Sequence, residues 1–96
     1  MTGTKKLAPE HSSAGRRLIG AMREVQALEF ARRVRDVRDR QGLSQSEFAR
    51  RFGLGLRSLQ EWEQGRRLPE AAVLTYFRVI ERNPQAVQLA LDSSAA

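Results

Sequence analysis

A small all-α domain of five helices with an N-terminal helical extension is what this sequence predicts. Three observations carry the expectation. Apolar residues recur at helical spacing from Leu18 onward. No segment alternates with the period of a strand. A glycine-marked corner, Gly53-Leu54-Gly55, separates two short apolar stripes.

The elements follow in order. Residues 1–13, MTGTKKLAPEHSS, are polar and aperiodic and read as a disordered tail. Residues 14–28 form an amphipathic arm, with Leu18, Ile19, Met22 and Val25 at helical spacing and Arg16, Arg17 and Arg23 elsewhere. Phe30, Val34 and Val37 continue a helical stripe to about residue 41, where Gly42 stops it. No Pro or Gly near residue 28 decides whether 15–41 is one helix or two.

The domain proper is expected over 29–92. Ser44 and Glu47 in the run SQSE form a capping box, so the next helix spans 45–52 with Phe48, Ala49 and Phe52 inward. Another spans 56–64, with Leu59 and Trp62 inward, and Gly65 ends it. Residues 70–82 make a further helix along Val73, Phe77 and Ile80. Asn83-Pro84 opens the last one, with Val87, Ala90 and Leu91 on one side and a fraying end, DSSAA.

The corner after Phe52 has a mechanical reading. Two short helices crossing steeply need a small residue at their contact, and Ala49 stands four residues before Gly53. Gly53 can adopt a positive φ and end the first helix, and Leu54 folds beneath the turn. Leu59 and Trp62 then pack the next helix onto Phe48 and Phe52. This is a helix-turn-helix. A hairpin of helices in a domain that only binds proteins would use the same turn.

Charge supplies the partner class. The 96 residues carry a formal net charge of +6. Residues 31–67 hold ten arginines against five acids and no lysine. Guanidinium forks suit phosphate and guanine edges, so double-stranded DNA is the expected ligand. In a helix-turn-helix the second helix of the pair enters the major groove. Its exposed face should carry Arg57, Ser58, Gln60 and Glu61. Arg57 is the expected reader of guanine O6 and N7. Gln60 and Glu61 could read adenine and the cytosine amino group, although Glu61 is also placed to pair with Arg57 four residues before it. Gln45, at a helix start, is placed for a phosphate, and Arg66 and Arg67 for clamping the backbone.

At this point the run GLSQSEFARRFGLGLRSLQEWEQGRRLP, followed by FRVIERNPQAV, resembles the HigA-type antitoxins of bacterial type II toxin–antitoxin pairs. These are single-domain members of the Cro/C1-repressor-like (XRE) group. The resemblance covers about residues 31–91. It implies a five-helix domain that forms a homodimer, binds a palindromic operator and represses its own operon. It also implies a neutralised partner, a small RelE-fold toxin. By position it gives Gln45 a phosphate role and sets Leu56, Arg57 and Gln60 on the reading surface; Ser58, on the exposed face of the same helix, is assigned to a phosphate. Two residues depart from the group: Gly55 stands where Ser or Thr is frequent, and Glu61 where Asn is common. The first removes a cap and the second makes the operator sequence its own.

Further expectations concern protein partners. Tyr76, Val79, Leu89 and Leu91 exceed what one small core needs and are assigned to a dimer interface. Leu18, Ile19, Met22 and Val25 are assigned to toxin binding. The rival readings are a stand-alone phage-type regulator and a protein-binding adaptor. Catalysis has no support: there is no Cys, the one His is His11 in the tail, and no phosphate-cradling loop is present. No cofactor or metal is expected. No apolar run approaches a membrane span and no secretory core is seen, so a cytoplasmic setting without membrane contact is the expectation.

Overall fold

The computed structural model describes residues 12–94. The first eleven residues of the expected tail lie outside that range, and Ser13 is already helical. Five helices follow one another: α1 (Ser13–Arg40), α2 (Gln45–Phe52), α3 (Leu56–Glu63), α4 (Ala71–Arg82) and α5 (Pro84–Ser94). No strand occurs among the described residues. The expected all-α class is therefore what forms.

The open question about residues 15–41 is resolved as one helix. Its start is fixed by Ser12, whose hydroxyl accepts from the Gly15 N–H at 2.8 Å. Its end is closed by the Leu43 N–H donating to the Arg38 carbonyl at 3.3 Å and the Gly42 N–H to that of Asp39 at 3.0 Å. Twenty-eight residues at ~1.5 Å each give a rod of roughly 42 Å. The molecule measures 65 × 25 × 20 Å, because the first half of α1 projects beyond the domain.

The core joins all five helices. Phe30, Val34 and Val37 of α1 meet Phe48, Ala49 and Phe52 of α2, Leu59 and Trp62 of α3, Phe77 and Ile80 of α4, and Val87 of α5. Phe30 sits edge-on to both Trp62, at 6.0 Å between centroids, and Phe77, at 5.0 Å. Each fully buried aromatic contributes about 1.5–3 kcal/mol of burial. Among the described side chains of α5 only Val87 is buried; Ala90 and Leu91, expected beside it, stay exposed. Val87 anchors the helix, Asn83 Oδ1 accepts from the Ala86 N–H, and Gln88 Nε2 donates to Gln41 Oε1 at 3.4 Å.

Arginine also ties the helices together. Arg33 reaches Glu81 through Nε at 3.0 Å and Nη2 at 2.6 Å, clamping α1 to α4. Its guanidinium lies 5.7 Å from the Phe30 ring centroid and 5.6 Å from that of Phe77. Hydrogen bonding to Glu81 raises the Arg33 pKa above its ordinary value.

The corner between α2 and α3 behaves as its residues require. Ala49 is buried, and its carbonyl accepts from the Gly53 N–H and, at 2.8 Å, from the Leu54 N–H. Gly53 takes φ +66, the left-handed conformation that a side chain would strain. The capping box on α2 is complete: the Glu47 N–H donates to Ser44 Oγ at 3.1 Å and the Ser44 N–H to Glu47 Oε1 at 2.9 Å. The Ser44 backbone bond holds the Glu47 carboxyl below the usual carboxylate range. A carboxyl so depressed stabilises the fold above its ordinary value and loses that contribution as pH falls. The stability gap between wild type and Glu47→Gln, followed by urea unfolding, should therefore close on acidification.

Gly55 caps α3 without a side chain, at φ −73 and ψ 131. A Cβ there would lie 3.7 Å from Ser58 Oγ, an ordinary contact. Gly55→Ser is expected to add a few tenths of a kcal/mol, about 0.3, to stability by supplying the missing acceptor, with thermal melting as the measure.

Candidate nucleic-acid interface

The geometry of α3 follows from two inward residues. Leu59 is fully buried and Trp62 nearly so, against α1 and α2. With ~100° between successive residues, Arg57, Gln60 and Glu61 fall on the face opposite them. The Arg57 side chain is 92% exposed. Gln60, Glu61 and Ser58 are half-buried, and Leu56 is exposed at the first position. Ser58 lies to one side of this face. It lines a groove with Gly53, Leu54, Gly55 and Arg67. Arg66 and Arg67 follow Gly65, both exposed.

Glu61 serves as a local counter-ion. Its carboxylate lies 3.3 Å from Arg67 Nη2 and 3.9 Å from Arg57 Nε. Of its two readings, pairing is the one formed in the free protein, and Arg67 is a second partner that helix spacing did not reveal.

Gln45 is arranged otherwise than expected. Its amide does not point outward. It donates from Nε2 to Glu63 Oε1 at 3.1 Å, and its Oε1 accepts from Gln60 Nε2 at 3.5 Å. The cause is Glu63, a carboxylate whose side chain is only 4% exposed and so needs donors. Arg38 supplies two more, through Nε at 2.7 Å and Nη2 at 2.9 Å, and also donates to the Leu43 carbonyl at 3.0 Å. Hydrogen bonding to Glu63 raises the Arg38 pKa above its ordinary value. Arg35 caps the end of α3 by donating to the Glu63 carbonyl at 2.6 Å. A polar chain thus runs from Gln60 on the outer face through Gln45 and Glu63 to Arg38 of α1.

The residues assigned to protein partners separate in space. Leu18, Met22 and Val25 are 58%, 51% and 54% exposed and share one face of α1, which the helical repeat places opposite Phe30, Ala31 and Val34. Ile19 points about a quarter turn away and is half-buried. The residues assigned to a dimer interface are spread over α4 and α5. Tyr76 packs against the core and donates its hydroxyl to the Phe52 carbonyl at 2.7 Å; burial raises its pKa. Leu89 and Leu91 are two residues apart on α5 and so face different ways. Val79 on α4 is exposed, three residues after the half-buried Tyr76. Sequence reasoning also missed Arg23, which lines a groove between α1 and residues 65–68 together with Arg66 and Arg67.

A short helix pair joined by a tight glycine corner, with an arginine on its outer face and a core behind it, defines a helix-turn-helix protein. The chain belongs to the MqsA family, described as the antitoxin component of bacterial toxin–antitoxin systems, which it matches over residues 2–89. It is 31% identical over 51 residues to Antitoxin HigA-2 of Vibrio cholerae serotype O1, an alignment covering 53% of this chain and 49% of that protein. The match thus spans about half the length of that relative. No solved structure matches the chain significantly. Both matches are antitoxins, as the resemblance to the HigA/XRE type implied. No helix among the described residues is long and apolar enough to cross a membrane.

Proposed function

We propose that this antitoxin is a sequence-specific DNA-binding protein that represses its own operon and neutralises a RelE-fold toxin, acting without catalysis in the cytoplasm. The observation that carries the DNA reading is Arg57. It is a guanidinium 92% exposed in the first turn of α3, on the face turned away from Leu59 and Trp62. Gln60 and Leu56 flank it, and Ser58, Arg66 and Arg67 lie where the backbone of a bound duplex would run. Glu61, freed from Arg57 and Arg67 by phosphate, faces the same groove. Gln45 acts here through Gln60, which it orients, as well as through its place at the start of α2. The toxin half of the proposal rests on family membership.

An electrophoretic shift on DNA from the chain's own promoter tests the reading. Log K should fall linearly with log[salt]. Arg66→Ala should weaken every duplex alike and reduce the slope by about 0.9, the share of one phosphate contact. Equal failure on promoter and random DNA at low salt would leave the adaptor reading. The neighbouring reading frame separates the antitoxin from a stand-alone regulator: a small basic RelE-type gene is expected there. Co-purification of the two products should show a complex.

A further inference from the structure

Reading a palindrome takes two copies, and the outer side of α1 offers a continuous apolar stripe to join them. Ala14, Leu18, Ala21, Val25 and Leu28 follow one another at spacings of four, three, four and three, the heptad seam of a coiled coil. All five are exposed, and through residue 25 the seam lies beyond the domain's own core. The seam alternates small and large, Ala-Leu-Ala-Val, rather than large throughout.

We infer that this seam pairs antiparallel with the same seam of a second copy of the chain. Two features select that occupant. The first is shape. Setting Leu18 opposite Ala21 of the other chain sets Val25 opposite Ala14, so these layers each join one large and one small residue and the helices can approach closely, while Leu28, packed beside Gly65 of its own chain, lies past their end. By twofold symmetry each such contact occurs twice. The second is charge. Arg17 and Glu24 flank the seam on the same side, seven residues apart, and neither is engaged in an ion pair among the described residues. In the antiparallel register Arg17 of each copy lies beside Glu24 of the other. A parallel register would instead bring Glu24 beside Glu29 of the other copy, two like charges. Exposed pairs of this kind add little affinity but set direction. The register centres between Ile19 and Gly20, so the points where the two rods enter their domains at Phe30 lie roughly 30 Å apart at ~1.5 Å per residue. That is close to the ~34 Å between half-sites one turn apart on DNA.

The inference concerns association in the absence of DNA and toxin, so it can fail while DNA binding stands. Sedimentation equilibrium of the full chain should give twice the 10.9 kDa of one copy as concentration rises. Ala21→Glu sits on an exposed helical position, so circular dichroism should be unchanged while the mass falls to one copy. Arg17→Glu and Glu24→Arg should each weaken the dimer, and the double exchange should restore it. A wild type that stays monomeric at every concentration overturns the inference; if added toxin then covers the stripe, the seam belongs to the toxin. A dimer indifferent to Ala21→Glu overturns it too, since the contact lies elsewhere. Tighter association of Glu24→Arg alone means parallel helices and overturns the register.

Discussion

Glu63→Ala should lower the unfolding free energy by about 3 kcal/mol, a large share of what a domain this size possesses. The carboxylate is the meeting point of three donors from two helices: Arg38 Nε and Nη2 from α1 and Gln45 Nε2 from α2. Removing it leaves the Arg38 guanidinium, with a side chain 18% exposed, without its counter-ion. It also frees the Gln45 amide and, through it, Gln60. The lower end of the range for broken buried pairs applies because Arg38 keeps some contact with water. Denaturant unfolding at neutral pH measures the loss. The double variant Arg38→Met with Glu63→Leu should recover much of it, since both desolvated charges are then gone. If Glu63→Ala unfolds at the wild-type denaturant midpoint, the pair adds nothing to the fold and the polar chain is incidental.

Arg57→Ala should leave stability within about 0.5 kcal/mol of wild type, as expected for a surface position. Its effect should appear in discrimination instead. Losing a bidentate contact to guanine costs about 1–3 kcal/mol of preference for the correct base, a factor between roughly 5 and 150. Competition between the operator and variants changed at single base pairs reads this directly. The variant should bind operator and its altered forms alike at the position Arg57 reads, while keeping its salt slope. Specificity unchanged in Arg57→Ala would remove Arg57 from the reading surface. The control is Arg66→Ala, which should do the reverse: a smaller slope with the base ranking intact.

The helix pair was legible because its signals are local. Ser44 and Glu47 cap α2, Gly53 turns the chain, and Ala49, Leu59 and Trp62 sit at offsets that only one crossing satisfies. The charges that join helices were not. Arg33, Arg38 and Glu63 stand in a window of alternating charge, where a solvated face is the ordinary outcome for such residues. Three of the ten arginines credited to a polyanion, Arg33, Arg35 and Arg38, are in fact spent on Glu81 and Glu63. A signal did exist. Arg38 falls four residues after Val34 and seven after Ala31, on the inward stripe of α1, and Glu63 follows Leu59 by the same step. Charged residues continuing an apolar stripe on two helices make a pair to look for. The arm was legible as amphipathic, but not which way it faced. Its apolar side and the domain's apolar side lie on opposite faces of one rod, and only the position of the core separates them.

That rod has a thermodynamic corollary. Starting a helix in water is the costly step, and a free peptide as short as the arm would be poorly ordered for that reason. Here the nucleus is the buried turn around Phe30 and Val34, and the arm grows backward from it without a join. The projecting half therefore borrows its order from the globular half, and the two should melt in a single transition. A ligand that grips only the far end would raise the melting temperature of the reading helix as well.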